Sequence, residues 1–161
     1  MKIVFRVDAS VKIGTGHVFR CLAMANELSR LGHKCLFVCR EHQSHLGDLI
    51  INQGHGLTLL PSRSNHTSQL KNKRADQPLL WLGASWEEDA RQTLRAIAAA
   101  KTDWLIVDHY ALDANWERLV SHATCRIMVI DDLANRQHDC AFLLDQNLGR
   151  TPSDYNNLLP L

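Results

Sequence analysis

Short apolar runs alternate along this chain with longer segments in which apolar residues recur at helical spacing. The apolar runs predict strands near residues 2–7, 34–38, 57–60, 104–107, 126–130 and 141–144. Helical spacing predicts helices near 17–31, 44–53, 86–100 and 113–122, and Gly32 and Gly54 suit the ends of the first two. The alternation predicts an α/β domain of three layers, with helices on both faces of a mainly parallel sheet.

One stretch breaks this pattern. Residues 61–78 contain few large apolar side chains and carry a small basic cluster, Lys71, Lys73 and Arg74. We interpret the stretch as a long polar surface loop within one domain that covers residues 1–161. Its basic cluster is typical of a solvated face rather than of a binding patch.

Composition narrows the possible partners. The chain has 161 residues, of which 45% are hydrophobic and 22% charged, enough to bury a sizeable core. A formal net charge of +1 gives no general field for nucleic acid or an anionic membrane, so we expect neither partner. The early charges of the N-terminus do not fit a signal peptide, and no apolar run has the length of a membrane span, which favours the cytoplasm. Five cysteines without a Cys-x-x-Cys pair suit reduced thiols.

Polar residues directly follow five of the predicted strands. In a doubly wound sheet, ligands bind beyond the carboxyl ends of the strands, so these residues mark the candidate site. The predicted binding residues are Asp8, Gly14, Thr15, Gly16, Arg20, His109, Tyr110, Asp131, Asp132 and Asn147.

The loop after the first strand carries two glycines, Gly14 and Gly16. Glycine permits positive φ and close approach of a ligand, and the helix that follows offers free N–H groups to a phosphate or a developing anion. A dinucleotide fingerprint needs the pattern G-x-G-x-x-G, but Val18, Phe19 and Arg20 follow Gly16-His17, so the third glycine is missing. An NAD-binding site is therefore disfavoured.

His17 follows the second glycine at the predicted start of a helix. The positive end of the helix dipole disfavours imidazolium, so a neutral ring at this position could act as a general base. The alternative is a histidine that only caps or packs at the loop. Arg20, one turn further on, could pair with Asp8, Asp131 or an anionic ligand, or form a purely structural ion pair.

Two groups of residues in the sequence contain possible metal ligands. Cys39, His42 and His45 are zinc-ligand types at short spacing, but no fourth ligand is apparent and the histidine pair better opens a helix. Asp131 and Asp132 could hold Mg²⁺ with substrate phosphates, or could cap a helix or turn. We expect neither a metal nor a cofactor.

Five motifs in order carry a family resemblance: FRVDASVKIGTGHVFRCLAMANEL, CREHQSHLGDLI, WLIVDHYALDANWE, IMVIDDLANRQHDCAFLLDQN and YNNLLP. With these motifs the chain resembles the UDP-2,4-diacetamido-2,4,6-trideoxy-β-L-altropyranose hydrolases of pseudaminic acid biosynthesis. That family is similar to the two-domain, MurG-like glycosyltransferases of the GT-B type. The resemblance implies that this chain is a Rossmann-like N-terminal domain, and that a C-terminal domain which recognises UDP follows it.

The resemblance also implies a reaction. Water would displace UDP from the anomeric carbon of a UDP-sugar with inversion; His17 would accept the proton, and Tyr110 would line the sugar site. Because a nucleoside diphosphate leaves easily, one base suffices where ordinary glycosidases need two carboxylates. We consider Asp8 or Asp131 as the residue that orients the other ring nitrogen of His17. Two alternatives stay open: a glycosyltransferase-like enzyme that uses a nucleotide sugar, and a non-catalytic sugar-binding module.

Overall fold

The computed structural model describes residues 1–10, 13–62, 81–121 and 125–160. Within these ranges, six strands form one sheet in which every neighbouring pair is parallel. The strands are β1 (Lys2–Val7), β2 (Lys34–Arg40), β3 (Gly56–Leu60), β4 (Trp104–Asp108), β5 (Arg126–Ile130) and β6 (Phe142–Leu144). Their spatial order is β3-β2-β1-β4-β5-β6. The predicted parallel sheet is confirmed.

Helices occupy the segments that the helical spacing predicted. They are α1 (Gly16–Arg30), α2 (Gly47–Asn52), α3 (Trp86–Ala100) and α4 (Ala114–Ser121), and a 3₁₀ helix, Pro152–Tyr155, follows the last strand. Gly32 and Gly54 have φ of +85° and +86°, just past the ends of α1 and α2. This left-handed conformation is the one in which glycine commonly ends a helix. No helix in the described ranges is long and apolar enough to cross a membrane.

The two faces of the sheet bury separate cores. Side chains of a strand point alternately to opposite faces, so Ile3, Phe5 and Val7 pack with α1, while Val4 packs with the apolar faces of α3 and α4. Each core continues across neighbouring strands in the same way. The predicted three-layer α/β arrangement is therefore confirmed.

Two strands extend further than the apolar pattern predicted. β2 continues to Arg40 and β4 continues to Asp108, past their predicted ends at residues 38 and 107. The new last residue of each strand, Arg40 or Asp108, is charged and is almost completely buried by ion pairs described below. Hydrophobicity alone does not detect a strand end that is buried by pairing.

The strand order reverses between β1 and β4. At such a switch point the connections leave the sheet toward opposite faces and open a crevice at the carboxyl ends of the two strands. The glycine loop follows β1 and Tyr110 follows β4, so the crevice brings the loop and this tyrosine together. Most of the predicted polar loop, residues 63–78 with its basic cluster, lies outside the described residues.

Candidate active site

A histidine, an arginine and an aspartate meet at the switch point. His17, in the first turn of α1, places Nδ1 2.5 Å from Oδ1 of Asp108 at the end of β4. Arg20 donates to the same carboxylate twice, from Nε to Oδ2 at 2.5 Å and from Nη2 to Oδ1 at 2.6 Å. This two-point contact fixes the plane of the carboxylate, and with it the direction in which His17 is held.

Two further residues complete this group. Arg20 Nη1 donates to Oδ2 of Asp132, after β5, at 2.7 Å, and the Tyr110 hydroxyl donates to the same oxygen at 3.3 Å. The rings of Tyr110 and His17 meet edge to face with centroids 4.5 Å apart. We call these residues, His17, Arg20, Asp108, Tyr110 and Asp132, the His17 cluster. They come from three separate strand ends, so the folded sheet is needed to assemble them.

The charges in the His17 cluster are fixed by its contacts. Burial alone would raise the pKa of Asp108, but hydrogen bonds from Arg20 and His17 outweigh it and lower this pKa. The pKa of Asp132 is lowered in the same way, against burial, by Arg20. Burial, together with Asp132, raises the pKa of the Tyr110 hydroxyl. At neutral pH the cluster therefore contains two carboxylates, one guanidinium and a protonated tyrosine.

Asp108 determines which nitrogen of His17 is available. Because Nδ1 faces a carboxylate, we assign the ring proton to Nδ1, and Nε2 then carries a lone pair. Among the described residues Nε2 has no hydrogen-bond partner, and the residue keeps 7% exposure. Asp8 and Asp131, the expected orienting residues, contact other groups, so that expectation was wrong. The expected pairing of Arg20 with either of them was wrong for the same reason.

The glycine loop has an open surface. Gly14 has φ of +85°, as a glycine in a tight turn can, and its N–H donates to the carbonyl of Ser10 at 2.9 Å. Gly16 does not share this conformation, contrary to expectation, because it is already the first residue of α1. A Cβ added at Gly16 would meet nothing within 4 Å among the described residues. The side chain of Thr15 does not cap α1, so it satisfies none of the first N–H groups of this helix.

Asp8 and His109, both predicted to bind substrate, lie in a different place. Asp8 pairs with Arg6 at 2.6 Å, and His109 Nε2 lies 3.3 Å from the other Asp8 oxygen. Asp89 of α3 holds Arg6 and Arg40, each at 2.6 Å. All five residues are buried, and we call them the interior network. The structure therefore does not bring Asp8 and His109 into the His17 cluster.

Burial and pairing act against each other in the interior network. Burial would raise the pKa of Asp8, but Arg6 and two histidines outweigh it, and the pKa lies well below its usual range. Burial lowers the pKa of His109, although Asp8 opposes this. His109 Nδ1 accepts the backbone N–H of Ala111 at 3.0 Å, so Nε2 carries the proton that faces Asp8. The network is thus a buried set of ion pairs between two arginines and two aspartates, beside His109.

Asp131 and Asn147 stabilise the loop after β5, which carries Asp132 of the His17 cluster. Asp131 is fully buried, accepts the N–H of Ala134 at 2.9 Å and lies 2.8 Å from Nη1 of Arg136. Asn147 Nδ2 donates to the backbone carbonyl of Asp132 at 2.8 Å. These contacts fix the loop after β5 that carries Asp132.

The structure gives no support to a zinc site at Cys39, His42 and His45. Cys39 is buried within β2, His42 lies 3.6 Å from Asp8, and His45 Nδ1 accepts the N–H of Gly47 at 3.0 Å. In the part of the chain that the structure describes, no three metal-ligating side chains are grouped around a common position.

The sequence did not indicate Asp108 as the partner of His17. Its position, directly after a buried apolar strand and before His109 and Tyr110, placed it at the correct edge of the sheet. The sequence pattern does not show to which face of the sheet each side chain points. Asp108 and His109 are adjacent in sequence and point to opposite faces. Arg136, which lies beside Tyr110, was missed as well.

The chain is similar to known proteins in sequence and in fold. No protein-family model matches the chain. The chain is 28% identical over 161 residues to the UDP-2,4-diacetamido-2,4,6-trideoxy-beta-L-altropyranose hydrolase of Campylobacter jejuni. The match covers 99% of this chain and 47% of that hydrolase, so the chain spans about half the length of its curated relative.

Solved structures of similar fold include glycosyltransferases. MurG of Acinetobacter baumannii matches with a TM-score of 0.57 and 12% identity, over 98% of this chain and 39% of MurG. CalG4, the calicheamicin glycosyltransferase, matches with a TM-score of 0.55 and 20% identity, over 81% of this chain and 32% of CalG4. The predicted resemblance is thus confirmed: the chain has the Rossmann-like α/β fold of one half of a GT-B glycosyltransferase, and its sequence is similar to that of a UDP-sugar hydrolase.

Proposed function

We propose that this chain carries the catalytic base and the sugar site of a UDP-sugar hydrolase. The observation that carries the proposal is the 2.5 Å contact between His17 Nδ1 and Asp108, at the switch point of the sheet, with Nε2 left without a protein partner among the described residues. An aspartate that holds one imidazole nitrogen and leaves the other to take a proton is the arrangement that general-base catalysis uses.

In the proposed reaction, His17 Nε2 takes a proton from a water molecule. The water oxygen then bonds to the anomeric carbon while the bond from that carbon to the diphosphate oxygen breaks. UDP leaves with the bonding electron pair, and attack on the opposite face inverts the anomeric configuration. Asp108 stabilises the imidazolium that forms, and Arg20 keeps Asp108 in place. No general acid is needed, because a nucleoside diphosphate is already a good leaving group.

The charge of the His17 cluster suits the sugar better than the diphosphate. Asp108 and Asp132 against Arg20 alone leave one net negative charge among the acidic and arginine side chains of the cluster. That charge favours the positive character which develops at the anomeric carbon and disfavours a phosphate. The nitrogens of Arg20 already donate to carboxylates, so we do not assign this residue to the diphosphate. We assign the diphosphate to the N–H groups at the start of α1 and, as the resemblance implies, UDP recognition mostly to a second domain.

The similar hydrolase supplies the substrate class. Its name specifies a UDP-linked 2,4-diacetamido-2,4,6-trideoxy sugar, and we propose a sugar of this class for the protein that contains this chain, within pseudaminic acid biosynthesis. A second candidate is transfer of the sugar to an acceptor other than water, which the glycosyltransferase neighbours favour. The two candidates share the base and differ only in the nucleophile.

The test uses the full-length protein that contains this chain. The UDP-sugar is incubated in ¹⁸O-labelled water, UDP release is followed, and the sugar product is analysed by mass spectrometry and NMR. We expect free sugar with one ¹⁸O at the anomeric carbon and inverted configuration. A glycoside product would refute hydrolysis in favour of transfer.

The same assay tests the base. His17→Gln is expected to lower kcat by about 1,000-fold or more, within the range that a positioned base supplies. His33→Gln is the matched control, since His33 lies near the N-terminus, far from the His17 cluster in the sheet. Turnover of His17→Gln within tenfold of the unchanged protein would exclude His17 as the base.

A further inference from the structure

Two arginines lie beside Tyr110, and their donors are used differently. Arg20 donates from Nε, Nη1 and Nη2 to the carboxylates of Asp108 and Asp132. Arg136, in the loop after β5, donates from Nε to the carbonyl of Leu112 at 3.0 Å and directs Nη1 toward Asp131. Among the described residues, Nη2 of Arg136 has no partner. Arg136 therefore keeps a free pair of N–H donors.

Arg136 is held firmly in this position. Its guanidinium carbon lies 5.9 Å from the centroid of the Tyr110 ring, a cation–π arrangement. Asp131, on its other side, is fully buried and anchored by the N–H of Ala134. The Arg136 side chain is 14% exposed, and its Nη2, which has no partner among the described residues, is not fully buried. The free donors are thus rigidly placed and reach the surface.

The Tyr110 ring contacts both Arg136 and the proposed base. Its centroid lies 4.5 Å from that of the His17 ring and 5.9 Å from the Arg136 guanidinium carbon. In the proposed reaction the anomeric carbon lies beside His17 Nε2, so the sugar ring would lie against this tyrosine, and an oxygen on a ring substituent would come within reach of Nη2.

From this geometry we propose that Arg136 contacts the substrate through Nη2 and selects sugars that carry an amide carbonyl oxygen, such as an acetamido group. This proposal rests on the proposed function. The charge of Arg136 is already balanced by Asp131, and Asp132 lies close to Tyr110, so the surroundings disfavour a phosphate. An uncharged acceptor satisfies the free donor without bringing in another negative charge.

The test compares substrate and product binding in the full-length protein. Arg136→Gln is expected to raise the KM for the UDP-linked diacetamido sugar by about 10- to 100-fold, as expected when a hydrogen bond from a charged donor is lost. The inhibition constant of UDP alone is expected to stay within twofold. An unchanged KM would overturn the proposal. An equal rise for UDP and substrate would overturn it too, by moving the contact to the diphosphate.

Two further variants separate binding from folding. Arg136→Lys keeps a positive charge opposite Asp131 but lacks the second guanidinium nitrogen, so it is expected to unfold like the unchanged protein and still show a raised KM. Recovery of the normal KM by Arg136→Lys would contradict a contact through Nη2. Arg118→Gln, which removes an exposed arginine paired with Asp139, is the matched control and should change neither constant.

A direct binding measurement distinguishes failure of this proposal from failure of the proposed function. If the unchanged protein releases no UDP, the proposed function fails. Binding of the free diacetamido sugar, followed by saturation-transfer NMR on the full-length protein, still reports on Arg136. Weaker binding to Arg136→Gln than to Arg118→Gln would support the contact, and equal binding would refute it.

Discussion

The His17 cluster and the interior network are built from the same kinds of residue on opposite faces of one sheet. Each pairs a histidine with an aspartate at a strand end and adds arginine: His17 with Asp108, and His109 with Asp8. Asp108 and His109 are consecutive, and the alternation of side chains sends one to each group. A single peptide unit thus connects the two.

The two groups differ in how far their side chains are buried and in how their charges balance. In the interior network Arg6 and Arg40 face Asp8 and Asp89, and all four side chains are fully buried. The His17 cluster has two carboxylates to one guanidinium, and its Arg20 side chain keeps 16% exposure. Buried, balanced charges hold the fold together, while an open, unbalanced set can act on a ligand. The residue types alone do not distinguish these roles.

The largest effect that this comparison predicts is on turnover. Asp108→Asn keeps the size of the side chain but removes the charge that holds Nδ1–H and stabilises the imidazolium. We expect kcat for UDP release by the full-length protein to fall by about 1,000-fold, or about 4 kcal/mol. Because Arg20 keeps Asp132, the fold should persist, which circular dichroism checks.

Asp139→Asn makes the same chemical change at an exposed carboxylate and serves as the control. Its turnover should match that of the unchanged protein. If Asp108→Asn retained more than a third of normal turnover, the His17 cluster would have to be regarded as structural, like the interior network.

The next effect is on stability and should spare the chemistry. Asp89 accepts hydrogen bonds from Arg6, Arg40 and the Trp116 indole. Asp89→Asn leaves two buried guanidinium groups with one carboxylate, so we expect the free energy of unfolding to fall by about 3 kcal/mol. Urea unfolding measures this loss, and kcat per folded molecule should stay within about threefold.

Glu87→Gln, an exposed change on the same helix, is the matched control and should cost only a few tenths of a kcal/mol. A loss below about 1 kcal/mol for Asp89→Asn would mean that water reaches the interior network. A fall in kcat as large as that of Asp108→Asn would instead show that the two groups act as one.

The sequence predicted the strands and helices that surround this site better than the side-chain contacts within it. Apolar runs and helical spacing are local properties, and they located the strands and helices to within a few residues. The glycine loop and His17 were found in the same way, because a strand, two glycines and a helix start lie within a short stretch. The carboxyl edge of the sheet followed from its parallel topology.

The partner of His17 could not be found this way. Asp8, Asp108 and Asp131 all follow apolar strands, and only the face to which each points decides which one meets the histidine. Arg6 lies in an apolar run and pairs with Asp89, 83 residues away, a contact without a local signal. Buried ion pairs between distant elements are therefore the part of the fold that hydrophobic patterning does not show.

The smallest predicted effect is a pH dependence of stability that originates in the interior network. Burial lowers the pKa of His109, whereas an unfolded histidine titrates near about 6.5. Below that pH the unfolded chain binds a proton at this histidine that the folded chain does not bind. The contribution of His109 to the free energy of unfolding is therefore complete above about pH 6.5 and falls as the pH drops, by at most about 1.4 kcal/mol per unit. His55, whose pKa burial also lowers, adds to the slope. Urea unfolding between pH 7.5 and 5 should therefore show a flatter slope for His109→Gln than for His33→Gln, which leaves both histidines in place, and equal slopes would mean that His109 takes up its proton without leaving the folded network.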